Sequence, residues 1–156
     1  MEFIVSALDA QHFAHLYGLS DEALLNLGVH AMTVDGRPGA PCRVSLRELE
    51  VGARVLLLNH CHLDVASPYR SSHAIFVGDR AELGVMAPGE LPEIIKLRSL
   101  ISVRAFDAHG MMTDAQLVEG ETAAAKFREM LAVPETAYLH THTAGRGCYL
   151  ARVDRA

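Results

Sequence analysis

The chain has 156 residues, half of them apolar and 21% charged, with a formal net charge of −5. A chain of this size can bury a core without staples, and this balance excludes wholesale disorder. The acidic excess argues against a nucleic-acid partner, which needs a basic face, and no stretch approaches the length of a membrane span. The N-terminal MEFIVSALDA carries an acid at position 2 and only a brief apolar run, so it does not read as a secretion signal. Cys42, Cys61 and Cys148 are odd in number and lack a C-x-x-C spacing. Three reduced thiols and a cytoplasmic location are expected, with a disulfide as the minor alternative.

Glu2 to Val5 opens as a short strand. Asp9 caps a helix that carries Phe13, Leu16 and Tyr17 on one side and ends at Gly18. Ser20 caps a second helix with Leu24, Leu25 and Leu27 turned inward, and Gly28 stops it. His12 and His15, on this pair, are expected to be solvated or half-buried. Val29 to Val34 reads as a strand ended by the Asp35-Gly36 turn. Two prolines and a glycine in RPGAPC exclude regular structure there. Ser45 then caps one helical turn from Leu46 to Leu49.

The longest apolar run, Val55 to Leu58, belongs to a strand from Ala53 to about His62, expected to be buried on both faces. Alternation puts Leu56, Leu58, His60 and His62 on one face and Val55, Leu57, Asn59 and Cys61 on the other. After a SPYRSS loop too long for a simple hairpin, His73 to Val77 reads as the partner strand. Gly78 to Gly89 is irregular, and Leu91 to Ser99 is a short helix or an irregular turn. Leu100 to Phe106 alternates, with Ile101, Val103 and Ala105 opposite Ser102 and Arg104; Met111 to Val118 returns as its hairpin partner. Glu121 to Ala132 is the most strongly marked helix, with a stripe of Ala123, Phe127, Met130 and Leu131 and Pro134 beyond its end. Thr136 to Thr143 is a strand with Tyr138, His140 and His142 on one side. The AGRG turn leads into a last strand, Gly147 to Val153. The whole predicts a single α+β domain with a largely antiparallel sheet, helices near the N-terminus and one toward the C-terminus.

Two H-x-H units, His60-Cys61-His62 and His140-Thr141-His142, carry the sharpest chemical pattern. Residues two apart on a strand point the same way, so His60, His62 and His140 are candidate metal ligands where the two strands meet. The competing reading is a set of strand-end histidines bonded to backbone or water. Cys61 points away from its flanking histidines. Cys148 follows a Gly-Arg-Gly turn, where Arg146 and loop N–H groups favour a reactive thiol, against the commoner inert buried one. Tyr69, Arg70, Ser71, Ser72 and His73 gather in a donor-rich loop suited to a carboxylate or phosphate, unless Arg70 is tied to an acid. No G-x-S-x-G elbow, dinucleotide fingerprint or phosphate loop occurs.

The blocks PGAPCRVSL, VLLLNHCHLDVASPYRSSHAIFV, ISVRAFDAHGMM and LHTHTAGRGCYLARVDRA, in this order, resemble the bacterial domain-of-unknown-function 1203 family over almost the whole chain. The resemblance rests on Pro41-Cys42-Arg43, Ser67 to Arg70, Arg104 to Asp107 and Gly147-Cys148. It implies a single-domain bacterial protein and brings no activity with it. His142 stands where many members carry asparagine, which tells against a four-histidine metal site. The leading expectation is a domain that binds a small anionic molecule. Arg43, Tyr69, Arg70 and Arg104 are its ligand-binding residues, with His73, His140 and Cys148 as catalytic candidates. The alternatives are a metal-dependent enzyme using His60, His62 and His140, and a protein-interaction module whose polar cluster is structural.

Overall fold

The computed structural model describes residues 1–156. Strand β1 (Phe3–Ser6) is followed by a 3-10 helix over Ala10–Leu16 and by α1 (Asp21–Asn26). Asp9 and Ser20 cap them as expected, accepting from Gln11 N at 2.9 Å and Ala23 N at 3.2 Å. Phe13 and Leu16 lie three apart, share a face of the 3-10 helix and are both buried. Leu24 is buried too, but Leu25 and Leu27 are 53% and 58% exposed, against expectation. So short a helix turns little more than one residue to the core, and Leu24 takes that place.

Strands β2 (His30–Thr33), β3 (Arg54–Leu63) and β4 (Ser71–Gly78) form an antiparallel sheet with β3 in the middle. Leu56, Leu58, Ile75 and Val77 pack with Phe13, Leu16 and Leu24. The other face is thinner: Val55 packs with Val34 and Ala40, but Leu57 is only half-buried, so β3 is not closed on both sides. The Leu46–Leu49 segment is not helical. Cys42 N donates to Arg47 O, Pro41 bridges to Glu48, and Leu46 takes a φ of 59° with its side chain buried in the main core. Pairing across the loop, rather than the expected helical turn, satisfies the backbone here. Glu48 is buried, paired with Arg98 and accepting from Gly39 N at 2.9 Å; this anchors the loop beside α2 (Glu93–Lys96).

Strands β5 (Ile101–Phe106), β6 (Met112–Val118), β7 (Tyr138–Thr143) and β8 (Tyr149–Arg155) join β1 in an antiparallel five-stranded sheet of order β1-β8-β7-β5-β6. Helix α3 (Ala123–Leu131) sets Phe127 and Leu131 in one core with Ile101, Val103, Ala105, Leu139 and Val153. Alternation sends the remaining side chains to the opposite face, where Arg104 pairs with His140, Ser102 with His142, and His140 with Arg152. The architecture is α+β and antiparallel, divided between two sheets. The end of β3 and the start of β4 lie over the polar face of the larger sheet, and the site is formed there. No helix is long and apolar enough to cross a membrane.

Candidate metal centre

A bulge near the end of β3 builds one wall of the site. Cys61 faces Ser72 and Leu63 faces Ser71, which leaves His62 as the extra residue. A bulge re-aims the side chain it inserts, and His62 parts company here with His60. His60 lies against His12 and Phe13, with ring centroids at 5.5 and 5.7 Å. His62 turns to the five-stranded sheet instead and stacks on Tyr149, with centroids 4.9 Å apart and planes at 11°.

Four imidazoles meet at that point. His62 Nε2 is 2.9 Å from His73 Nδ1 and 3.1 Å from Ser71 Oγ, while His62 Nδ1 is 3.3 Å from His140 Nδ1. His142 Nδ1 donates to Gly147 O at 2.8 Å. A carbonyl only accepts, so the proton of neutral His142 sits on Nδ1 and Nε2 holds a lone pair. That Nε2 is buried and has no hydrogen-bond partner. Ligating nitrogens of His62, His73 and His142 lie within 4.8 Å of one another. A proton on His62 Nδ1, donated to His140 Nδ1, leaves a lone pair on His62 Nε2, which accepts from His73 Nδ1 or Ser71 Oγ.

Burial sets the protonation of the group. Desolvation first, then neighbouring histidines and Arg104, holds His62 at a pKa of about 4. Burial is also the largest cause for His140, at about 3, and for His142, at about 2. His73 is lowered by burial and by the Arg104 and Arg43 guanidiniums. All four rings are therefore neutral at pH 7, the form that offers a lone pair to a metal.

Two arginines border the cluster. Arg104 is half-buried, and its Nε donates to Ser102 Oγ at 3.3 Å. Gly147, with a φ of +74°, lies beside it: a Cβ there would stand 3.7 Å from Arg104 Nη2 and 3.9 Å from His73 Nε2. Arg43 is 2% exposed, and donates through Nε to Tyr149 O at 2.7 Å and through Nη1 to Pro41 O. Burial lowers its pKa to about 10, so it remains a cation at neutral pH.

The remaining candidates stand apart. Arg70 is exposed and bound to Asp64, Nε to Oδ1 at 2.9 Å. Tyr69 is exposed, edge-on to Phe106 at a centroid distance of 6.4 Å. Neither makes a hydrogen bond to the histidines. Cys148 is half-buried beside Gly147, its N–H donating to Thr143 Oγ1 at 3.0 Å, and all three cysteines are unpaired. The fold thus brings together His62, His73, His140, Arg43 and Arg104, and leaves out His60, Tyr69 and Arg70. It adds His142, which the H-x-H spacing marked beside His140, and Tyr149, which no sequence pattern marked. Surface clefts of about 540 and 640 Å³ flank Glu48, and one of about 440 Å³ runs beside His12, His15 and His60. None of these is lined by His62, His73 or His142, which sit between the sheets.

The family model described as a protein of unknown function, DUF1203, matches residues 39–155, and the chain belongs to that family. No curated protein and no solved structure matches it.

Proposed function

We propose that this DUF1203 protein is a metal-dependent enzyme acting on a small anionic molecule, with its metal ion held by His62, His73 and His142. The observation that carries the reading is the buried, partnerless Nε2 of His142, facing two further neutral imidazoles. A buried acceptor left unpaired costs about 1–3 kcal/mol; a ligand that uses the lone pair removes that cost. Zn–N bonds of about 2.0–2.1 Å put tetrahedral nitrogens roughly 3.3 Å apart. The ligating nitrogens of the three rings lie within 4.8 Å of one another, and His62 Nε2 and His73 Nδ1 share a 2.9 Å hydrogen bond that the ion would replace. Imidazole-only sets suit zinc and neighbouring transition metals, and three protein ligands leave positions open for water and substrate.

The surroundings favour the same reading. His140 and the Gly147 carbonyl hold His62 and His142 from their outer nitrogens, which fixes the ring orientation and tautomer that a metal ligand needs. A metal there would activate water or polarise a substrate oxygen. Arg104 is the group best placed to hold the negative charge of the substrate, with the buried Arg43 adding to the positive field at His73. The three unpaired thiols support a reducing compartment such as the cytosol.

Elemental analysis of untagged protein and thermal melting with and without a chelator test the reading. About one equivalent of a transition metal is expected. Its removal should lower the melting temperature by on the order of 10 °C, because metal that binds only the native state adds to stability. Metal-free protein whose melt ignores both chelator and added zinc would overturn it.

A further inference from the structure

Arg43 and Arg104 both border the histidines, and no carboxylate pairs with either, although the chain holds 19 acids. The acids flanking this region are committed elsewhere: Asp64 to Arg70 and Asp154 to Arg152. The cluster is thus four uncharged rings beside two guanidiniums, positive before a divalent cation arrives. Such a cation is repelled by both arginines in a partly desolvated setting, where charges interact strongly. Gly147 adds the second observation. A Cβ there would lie in ordinary van der Waals contact with both Arg104 Nη2 and His73 Nε2, at 3.7 and 3.9 Å, so both groups line the small space over its backbone.

Resting on the three-histidine reading, we infer that the metal and an oxyanion bind here as mutually dependent ligands, the oxyanion seated over Gly147 on Arg104. A planar guanidinium takes two oxygens of a carboxylate or phosphoryl group at once. The seated anion neutralises the charge that opposes the metal, and the metal in turn attracts the anion. Each ligand raises the affinity for the other by the same factor. Arg104 therefore acts against the metal when no anion is present, and favours the complex that carries both.

The experiment titrates the full chain with cobalt(II), followed by its visible absorption. It is done in an oxyanion-free amine buffer and again with millimolar acetate or inorganic phosphate. In the parent protein at least one of the two anions should tighten cobalt binding about 5- to 150-fold. Acetate alone acting identifies a carboxylate ligand, and phosphate alone a phosphoryl one. Arg104→Met should bind cobalt more tightly than the parent in the oxyanion-free buffer and lose the response to either anion. Arg104→Gln serves as the second variant, and Arg70→Met, in its exposed pair with Asp64, should behave as the parent. Cobalt binding that ignores both anions, or that weakens in Arg104→Met without anion, overturns the linkage and leaves the metal centre standing. A parent protein that takes no cobalt in any buffer overturns both.

Discussion

His142 Nδ1 donates to Gly147 O across 2.8 Å, so any rotation of the ring that carries Nε2 toward solvent breaks its one hydrogen bond. The ring is therefore fixed in a dry place, and so is its neighbour His140, 2% exposed. Both have folded pKa values far below the roughly 6.5 of an unfolded chain, about 3 for His140 and about 2 for His142. Above pH ~6.5 both states are neutral, and the two rings add no pH dependence. Below it the unfolded chain takes up protons that the folded one refuses, so stability falls as pH falls, by up to about 1.4 kcal/mol per pH unit for each ring. Urea unfolding of metal-free protein at pH 7, 6 and 5 should show this loss. His142→Asn should remove one ring's share of the slope. Equal stability at pH 7 and pH 5 would contradict the burial of these rings as neutral species.

At the scale of elements, two irregularities in pairing make the site. One is the bulge that turns His62 away from His60. The other lies between β7 and β8, where the register shifts after Thr141 and brings Tyr149 opposite His142. Thr141 pins the second shift: its buried Oγ1 donates to Ala151 O and accepts from Ala151 N, each at 3.1 Å. Thr141→Val keeps the shape and removes both bonds. It should cost about 1–3 kcal/mol in chemical denaturation and should weaken metal binding by loosening the strand that carries His142. Unchanged stability and unchanged metal affinity would show that the shift is held by other contacts.

These irregularities also mark where the sequence stopped being legible. The alternation of Ile101, Val103 and Ala105 against Arg104, the stripe on α3 and the caps at Asp9 and Ser20 depend on near neighbours, and they stand as read. A bulge has no local signature, because the extra residue is extra only relative to the partner strand. Simple period-two counting therefore groups His60 with His62, and only the pairing with β4 separates them. Arg70 is a different case. Its loop is rich in donors, and composition allows two readings, an anion site or an Arg70 tied to an acid. The second holds, with Asp64 six residues earlier as the partner. Leu25 and Leu27 followed an apolar pattern in a helix too short to turn them inward.

At the scale of the molecule, the candidate ligands come from both sheets. His62 and His73 stand on β3 and β4, and His142 on β7. Each sheet has its own apolar packing, one under the N-terminal helices and one under α3. Between them lies a polar seam of imidazoles, Tyr149 and two guanidiniums without a carboxylate partner, flanked by an apolar contact of Leu63 with Phe106 and Tyr138. A metal ion bound across that seam would fasten one sheet to the other, so loading and global stability are expected to rise together. Anomalous diffraction at the zinc edge, from crystals of the full chain grown with zinc, is the most direct measurement. The account predicts one strong peak between the sheets, about 2.0–2.1 Å from nitrogens of His62, His73 and His142. No peak at that position, or a site built instead on His60 and His12, would contradict it.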